Sequence, residues 1–394
     1  MAAKNRATDG APFVIRNAKV YVSPDAPPVE RGSVLVRDGR IAAVGTEIPI
    51  PPEAQVLPGE GCVLTAGFWN AHVHFTEPKW RDAGRKVPQL LDPQLQEMFT
   101  SRGFTSVVDT GSDPRSTLPL RDRIRTGELR GPRIYTAGTG LYPPKGIPYY
   151  VRDTIPFWIR PFIPQPSTPA AAARMTKRNI ARGTDLLKLF TGSYVMRGQV
   201  TTMPESIARA AIGVAHAHGR LVYSHPSNLE GTRIALRTGV DVLAHPPDTT
   251  DGVDASLIRE IVDRGMGMTP TLKMFADTAS SDPSYLNPIY EVVRQFHRLG
   301  GQLLFGTDVG YMADYSIENE LQALTRAGVD ARGVLKMMTM APAQRFGVGN
   351  DTGSISVGKQ ADLVLLRGDP IEDLLALTRV EMTIRSGQIL YRRT

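Results

Sequence analysis

Apolar and polar positions divide the chain into two kinds of segment. Near both ends, short apolar runs are separated by turn residues, and Asp38-Gly39 between two such runs is a strong signal for a β-hairpin. In the middle, short β-rich runs alternate with helical patterns, which is typical of a parallel sheet. The eight β-rich runs are Phe68–His74, Thr105–Thr110, Arg133–Gly138, Leu186–Phe190, Leu221–His225, Asp241–His245, Gly267–Thr271 and Leu303–Asp308.

The alternation of runs and helical patterns predicts the fold class, which is α/β. Eight strand–helix units over about 280 residues fit a (β/α)8 TIM barrel. A doubly wound open sheet is the alternative, but no G-x-G-x-x-G follows a strand to support it. The strand-rich ends are too small for separate cores, so we expect one small β-sandwich domain built from both termini. That domain would comprise residues 12–64 and 353–394, and the barrel residues 65–352.

Composition narrows the functional class. The chain has 394 residues, of which 41% are hydrophobic and 22% charged, as in globular proteins. No stretch approaches the ~18 consecutive apolar residues of a membrane helix, so we expect no membrane partner. A single cysteine, Cys62, excludes a disulfide framework and a cysteine-rich metal site. The net charge is +7, but the basic residues are scattered, so we expect no nucleic-acid partner.

The first residues bear on cellular location. Residues 1–12 contain no apolar segment of the kind found in secretory signals. We therefore expect a cytoplasmic protein for the chain as written. An exported precursor whose signal has been removed is the alternative.

Histidines stand at the ends of predicted strands, where barrel enzymes carry their chemistry. His72 and His74 end the first run and share one face, because strand side chains alternate. His225 and His245 each end a later run. Neutral imidazole is the commonest protein ligand for zinc, which makes the four histidines candidate metal ligands. For His225 and His245 taken singly, a hydrogen-bonded core histidine is the alternative.

Two charged residues accompany these histidines. Asp308 ends the last run, where a carboxylate is costly unless it is paired or bound to a metal. Its alternative role is a helix N-cap or a buried ion pair. Lys188 lies in mid-strand among leucines, where burial favours the neutral amine that reacts with CO₂ to form a carbamate. A structural lysine paired with a carboxylate is the alternative. For Glu77 and Asp109, near strand ends, we expect solvent or capping roles, and a contact that supports the metal ligands from behind is the alternative.

The remaining histidines are interpreted as structural. His216 and His218 repeat the H-x-H spacing, but they lie in a helical pattern that Gly219 ends. On a helix, residues i and i+2 point about 200° apart and cannot share a metal. His297 also lies in a helical pattern.

A long segment, residues 139–171, separates the third and fourth runs and is rich in proline and aromatic residues. Loops of this length are usually functional or disordered, and the aromatic residues argue against disorder. We expect either an apolar lid over the site or a surface that contacts another subunit. Lys145, Arg152 and Arg160 could hold a substrate carboxylate. The candidate substrate-binding residues are Tyr142, Tyr149, Tyr150, Arg152 and Trp158.

Together these residues resemble the metal-dependent amidohydrolase superfamily, in particular its imidazolonepropionase-related branch. That branch includes carboxypeptidase-like and prolidase-like enzymes with a carboxylated lysine. The resemblance extends from Phe13 to the C-terminus. Trp69 is a small departure from the family pattern, and the segment after His225 lacks the tyrosine of prolidase-like members. The motif residues are Gly67-Phe68-Trp69-Asn70-Ala71-His72-Val73-His74, Lys188, His225, His245 and Gly306-Thr307-Asp308.

The resemblance implies a binuclear Zn²⁺ centre in each subunit. It assigns the more buried ion to His72, His74 and Asp308, and the more exposed ion to His225 and His245. N6-carboxylated Lys188 and a hydroxide would bridge them. The alternative is a mononuclear site without Lys188 in which His245 serves the substrate.

The implied function is hydrolysis of an amide, in a peptide-like or N-acyl amino acid substrate with an aromatic or apolar group. A metal-bound hydroxide would attack the carbonyl carbon, and Asp308 would carry its proton to the leaving group, with His245 as the second catalytic residue. An esterase, lactonase, phosphotriesterase or carbamate hydrolase that uses the same centre is the alternative. The expected partners are a small-molecule substrate and, because relatives are often oligomeric, further copies of the chain.

Overall fold

The structure is a computed structural model, and it describes residues 11–279 and 281–394. Most of the N-terminal segment that bears on cellular location, residues 1–10, lies outside the described residues. No helix in the described part of the chain has the length and apolar character needed to cross a membrane.

Strands occur along most of the described chain. They are β1 (Phe13–Val20), β2 (Val29–Arg37), β3 (Arg40–Gly45), β4 (Gln55–Pro58), β5 (Cys62–Ala66), β6 (Phe68–Val73), β7 (Phe104–Asp109), β8 (Arg133–Thr136), β9 (Leu186–Phe190), β10 (Gly192–Met196), β11 (Gln199–Thr202), β12 (Leu221–His225), β13 (Val242–Leu243), β14 (Gly267–Met268), β15 (Gln302–Leu303), β16 (Leu363–Arg367), β17 (Val380–Arg385) and β18 (Gln388–Arg392).

Helices follow most of the central strands. They are α1 (Pro88–Met98), α2 (Pro114–Arg125), α3 (Tyr149–Arg152), α4 (Pro169–Ala181), α5 (Glu205–Ala217), α6 (Leu229–Thr238), α7 (Ala255–Asp263), α8 (Leu272–Thr278), α9 (Pro283–Arg298), α10 (Glu318–Arg326), α11 (Ala331–Met338) and α12 (Met340–Arg345). Short 3-10 helices span Pro78–Trp80, Thr100–Arg102, Arg160–Phe162 and Leu374–Thr378.

Strands from both ends of the chain pair in one eight-stranded sheet, in the order β18-β17-β16-β5-β1-β2-β3, with β4 also paired to β1. The first half of β1 pairs with β4 and its second half with β5, so the sheet forks there. The expected small β-sandwich thus appears in the strand pairing as one forked sheet. Asp38 and Gly39 have φ values of 49° and 72°, as a two-residue hairpin turn of type I′ requires, which confirms the predicted hairpin.

The central strands pair in parallel as two sheets. One sheet has the order β6-β7-β8 and the other β15-β14-β13-β12-β9. Each of the eight predicted runs overlaps one of these strands, although the last run shares only Leu303 with β15. Alternation with helices brings the carboxyl ends of parallel strands to one side of the sheets.

Several backbone hydrogen bonds connect the two parallel sheets at each of the two edges. Leu141 N donates to Lys188 O over 2.9 Å at one edge, and His74 N donates to Val309 O over 2.7 Å at the other. Within the described residues the strands do not pair as one continuous closed barrel. The breaks in strand pairing fall between β8 and β9 and between β15 and β6, and β15 itself pairs over only two residues. Thr271 and Asp308 have φ values of 45° and 57°, which turn the chain away from the strand direction.

The described residues contain three clusters of buried apolar side chains, of which one belongs to the forked sheet and two to the parallel strands. Buried residues of the forked sheet, such as Ile15, Val34 and Leu363, pack in a cluster of their own. A larger cluster lies between the parallel strands and the helices that follow them. The rigid packing of the second cluster sets the positions of the strand ends, where the polar residues considered next are found.

Candidate metal centre

Six polar side chains converge at the carboxyl ends of the parallel strands. His72 lies in β6, and His74 follows it directly. Lys188 lies in β9 and His225 ends β12. The other two, His245 and Asp308, lie in the segments that follow β13 and β15. All are buried except His74, whose side chain is 18% exposed.

Asp308 lies at the centre of the histidine cluster. Its Oδ1 is 3.0 Å from His74 Nε2 and 3.4 Å from His72 Nε2, and its Oδ2 is 3.9 Å from His245 Nε2. Ligand atoms of His72, His245 and Asp308 lie within 4.8 Å of one another. The structure therefore brings nitrogen and oxygen donors of the kind that Zn²⁺ prefers to one point.

The orientation of three imidazoles is set by hydrogen bonds at their outer nitrogen. His72 Nδ1 donates to Ala244 O over 3.0 Å, and His74 Nδ1 donates to Gly111 O over 2.7 Å. Because a carbonyl oxygen only accepts, each Nδ1 carries the proton, and Nε2 has its lone pair free on the inner side.

His245 follows the same rule through a hydroxyl group. Its Nδ1 lies 2.5 Å from Thr271 Oγ1, which itself donates to Pro270 O over 2.9 Å. The hydroxyl proton is therefore used, and Thr271 accepts from His245. The left-handed φ of Thr271 is unusual for a β-branched residue, and it places the hydroxyl against this imidazole.

Burial and charge set the protonation of the cluster. Burial lowers the pKa of His72 and His245, and it lowers the pKa of His225 to about 3, so these rings are neutral. Burial also opposes ionisation of Asp308, but the electrostatic interaction with the His72 ring and the hydrogen bond with His74 outweigh burial and hold the pKa of Asp308 well below the usual range. Burial likewise opposes protonation of His74, yet its contact with Asp308 raises its pKa.

Lys188 is an uncompensated amine. Burial lowers its pKa to about 7, and Asp308 opposes that shift through its charge. No ion pair of Lys188 occurs within the described residues, which disfavours the alternative of a structural lysine paired with a carboxylate. The neutral amine is the form that reacts with CO₂, and the lowered pKa of Lys188 increases the share of that form at neutral pH.

Hydrogen bonds outside the cluster hold β6 and the segment of Asp308 in position relative to each other. Asn70 Nδ2 donates to Thr307 Oγ1 over 2.7 Å, and Asn70 Oδ1 accepts from Thr307 N over 3.2 Å. These bonds lock β6 to the segment that carries Asp308. The Trp69 ring stacks on Tyr135 at 5.3 Å on the other face of the strand.

Asp109 is not at the surface, so the expected solvent role is wrong. It is fully buried, and it accepts hydrogen bonds of 2.6 Å from Ser112 Oγ and from Thr136 Oγ1. It also accepts from Gly111 N over 3.2 Å. Since Gly111 O orients His74, Asp109 supports the cluster through the loop after β7.

The aromatic segment 139–171 is only partly directed at the cluster. Tyr142 stacks on Phe190 at 4.5 Å, and Phe190 stacks on His225 at 5.1 Å. Tyr150 packs against Tyr149 at 5.4 Å and Tyr311 at 5.8 Å.

Two of the predicted substrate-binding residues lie elsewhere. Arg152 donates to Val195 O over 3.2 Å and is therefore used to hold the β10–β11 hairpin. Trp158 is 62% exposed and meets Phe157 edge-on.

The structural interpretation of the H-x-H pair in α5 agrees with the geometry. His216 Nε2 lies 2.9 Å from Asp241 Oδ2, and His218 Nδ1 donates to Val214 O over 2.8 Å. Both residues are therefore bonded at the rim of the helix, away from the strand ends. His297 lies within α9.

Asp248 lies beside the cluster and was not predicted from the sequence. Its Oδ2 lies 3.7 Å from His225 Nε2, is buried, and has no hydrogen-bond partner in the described residues. Burial raises the pKa of its carboxyl group to about 7. The sequence feature that could have indicated Asp248 is its position directly after His245-Pro246-Pro247, because two prolines restrict the chain and hold Asp248 close to His245.

Comparison with known proteins supports the sequence resemblance. A family model described as "Amidohydrolase family" matches residues 63–390. Ochratoxinase of Aspergillus niger is 21% identical over 93% of this chain and 84% of that protein. Imidazolonepropionase of Thermoplasma acidophilum is 25% identical over 94% of this chain and 91% of that protein.

A solved structure shows the same fold. The crystal structure of a Xaa-Pro dipeptidase with bound methionine in the active site superposes with a TM-score of 0.82, at 22% identity. The superposition covers 97% of this chain and 100% of that one.

Proposed function

The chain belongs to the amidohydrolase family, and we propose that it is a metal-dependent hydrolase that cleaves an amide bond in a peptide-like or N-acyl amino acid substrate. The observation that carries the proposal is the orientation of the imidazoles. His72, His74 and His245 each use Nδ1 in an outer hydrogen bond and direct Nε2 at Asp308. Histidines with a purely structural role in the core would not be expected to direct three Nε2 atoms at one carboxylate.

The residues present fit a divalent cation. His72 Nε2 and His225 Nε2 are buried and without a hydrogen-bond partner in the described part of the chain. Leaving such atoms unsatisfied costs about 1–3 kcal/mol each, a cost that a coordinated cation would remove. Neutral imidazoles with one carboxylate form a donor set suited to Zn²⁺. When bound, the ion supplies a Lewis acid that polarises a carbonyl group and lowers the pKa of water.

Lys188 is proposed to complete the donor set as a carbamate. Its neutral amine attacks CO₂, the new C–N bond forms, and the displaced amine proton goes to solvent. The product is an anion with two oxygen donors. The proposed ligands of a binuclear Zn²⁺ centre are His72, His74, Lys188, His225, His245 and Asp308.

Asp308 is proposed as the proton carrier. Its Oδ1 lies 3.4 Å from His72 Nε2 and 3.0 Å from His74 Nε2. Its Oδ2 has a longer contact, 3.9 Å, with His245 Nε2. We assign to Oδ2 the proton taken from the attacking water and delivered to the leaving nitrogen. His245 is the second proposed catalytic residue, because its Nε2 lies on the Oδ2 side of the carboxylate.

The proposed architecture is a (β/α)8 barrel of residues 65–352, with a small domain of residues 12–64 and 353–394. The separate hydrophobic core of the forked sheet supports this division. Hydrogen bonds at both edges of the parallel sheets support a ring of eight strands. In such a barrel, chemistry takes place at the carboxyl ends of the strands, where the six proposed ligands lie.

A hydrolysis screen tests the proposed function. Zn²⁺-loaded protein is offered N-acyl aromatic amino acids and dipeptides beside aryl esters, lactones, carbamates and phosphotriesters. Amide cleavage is expected, and it should be absent in the His72→Ala/His74→Ala variant. The matched control is His216→Ala/His218→Ala, which removes two histidines of the same spacing outside the site and should retain full activity. Cleavage of only esters, lactones, carbamates or phosphotriesters would contradict the amide assignment.

A further inference from the structure

His225 is the one proposed histidine ligand whose ring has no hydrogen bond to a protein group in the described residues. Its Nε2 is buried, and Asp248 Oδ2 lies 3.7 Å from it, beyond hydrogen-bond distance. Its Nδ1 makes no bond of the kind that orients His72, His74 and His245. Such a bond normally fixes the plane and the tautomer of a metal-binding imidazole, so the orientation of His225 has another cause.

An aromatic ring restricts the His225 imidazole instead. The side chain of Phe190 stacks on it, with ring centroids 5.1 Å apart and planes at 24°. The two residues lie opposite each other in the parallel pair β9 and β12, so strand register sets the contact. Rotation about the Cβ–Cγ bond of a free histidine side chain is broad, and a stacked ring favours one plane for the imidazole.

Phe190 is itself held in place by its neighbours. Tyr142 stacks on it, with ring centroids 4.5 Å apart and planes at 29°. The residue before Tyr142 is bonded to β9 twice. Leu141 N donates to Lys188 O over 2.9 Å, and Phe190 N donates to Leu141 O over 3.0 Å. Tyr142, Phe190 and His225 therefore form one stack of three rings, which backbone hydrogen bonds attach to β9.

We propose that Phe190 is a positioning residue, whose ring holds the His225 imidazole for the ion that the family resemblance assigns to His225 and His245. The inference rests on the proposed function, because it concerns a ligand of the proposed centre. A stack fixes the plane of an imidazole and leaves its tautomer open, whereas a hydrogen bond at Nδ1 fixes both. The ion at His225 is therefore the more weakly bound of the two, by about 10-fold or more.

Phe190 also approaches Lys188, whose Nζ lies 5.3 Å from the ring centroid. The carbamate of Lys188 is proposed to bridge both ions. A change at Phe190 that acted through Lys188 would therefore weaken the binding of both ions. A change that acts through His225 weakens the binding of one ion only, so metal titration distinguishes the two routes.

Zinc affinity of the Phe190→Leu variant tests the proposal. Leucine keeps an apolar side chain at this position but has no ring to stack. Metal-free protein is titrated with Zn²⁺ in competition with a chromophoric chelator, which gives the affinity of each equivalent. Phe190→Leu should bind the weaker equivalent about 10-fold less tightly than the wild-type protein and bind the tighter equivalent equally well. Phe190→Tyr, which retains a ring, should restore the wild-type affinity.

Phe346→Leu is the matched control. Phe346 is half-buried like Phe190, and its ring contacts Trp69, Tyr135 and Tyr223 but no proposed ligand in the described part of the chain. Both zinc affinities of this variant should equal those of the wild-type protein.

Crystal structures of metal-free wild-type and Phe190→Leu protein show the His225 ring directly, and the ring plane should differ between them. Three outcomes would overturn the proposal: an unchanged weaker affinity in Phe190→Leu, an equal loss of both affinities, or an unchanged His225 ring plane. None of these measurements needs a substrate. Failure of the hydrolysis screen would therefore contradict the proposed function and leave the role of Phe190 to be decided by the titration.

Discussion

Replacing Gly310 by alanine should disrupt the proposed metal centre, although Gly310 is not one of its proposed ligands. Gly310 follows Asp308 by two residues and has a φ of 97°. A Cβ placed on it would lie 2.7 Å from the carbonyl carbon and 3.2 Å from the Cα of His74, against 3.4 Å or more for ordinary contact. The obstacle is backbone, which cannot rotate away as a side chain can. His74 must therefore shift.

The size of the expected effect follows from comparison with Gly219, a second glycine with a left-handed backbone conformation. Gly219 has a φ of 64° and nothing within 4 Å of an added Cβ. Alanine at either position costs about 1–2 kcal/mol of backbone strain, or about 1–3 °C in Tm for a chain of this length. In Gly310→Ala the displacement of His74 comes in addition to this strain. Functional sites tolerate displacements of only about 0.5 Å in their side chains.

Zinc content and Tm measured together distinguish backbone strain from displacement of His74. After loading with Zn²⁺ and dialysis, Gly219→Ala should retain the wild-type zinc content and lose only the small amount of Tm. Gly310→Ala should lose more than half of its zinc and more Tm. If Gly310→Ala kept the wild-type zinc content with a Tm loss equal to that of Gly219→Ala, the reasoning about His74 would be refuted.

Three further predictions follow from single residues. Lys188→Ala should lower zinc content, with partial recovery of zinc and activity on addition of acetate or propionate, and a variant with unchanged zinc content would contradict the bridging role. Asp308→Asn should reduce kcat by a factor of about 10² or more with circular dichroism unchanged, and near-normal kcat would exclude it as the proton carrier. Burial raises the pKa of Glu320 to about 7, so the native state holds that proton more tightly than the unfolded chain. Stability is therefore lost as pH rises from about 4.5 to 7, by about 3 kcal/mol, and Glu320→Gln should raise Tm at about pH 8 but not at about pH 5 in calorimetry.

The positions of the six proposed ligands followed from simple rules. A period of two along a strand places His72 and His74 on one face, and the carboxyl ends of parallel strands meet on one side of the sheet. Those rules need no knowledge of loops. They also separated His216 and His218 from the centre, because a helix directs residues i and i+2 apart.

Features set by loop geometry were not predictable in the same way. Asp248 lies beyond the end of β13, so its direction depends on Pro246 and Pro247 and on packing that no periodicity records. The support given by Asp109 depends on Thr136 of the neighbouring strand, a contact between residues 27 apart in sequence. The β10–β11 hairpin was also not predicted, since its two short strands, GSYVM and QVTT, show no alternation of apolar and polar residues.

The order of the central strands was predictable, but the extent of their pairing was not. Thr271 and Asp308 take left-handed backbone conformations that sequence alone does not indicate for these residue types. Such conformations direct Thr271 to His245 and Asp308 to His72 and His74. The pairing divides into two sheets between β8 and β9 and between β15 and β6, where separate backbone hydrogen bonds join the strands instead of a continuous ladder.

Metal titration of the apo-protein tests the central claim most directly. Chelator-treated protein is assayed against an amide substrate identified in the screen, while Zn²⁺ is added in stoichiometric steps. We expect no activity without metal, an increase in activity that ends at two equivalents of Zn²⁺ per chain, and no increase in the His72→Ala/His74→Ala variant. Full amide hydrolysis by the metal-free protein would contradict it.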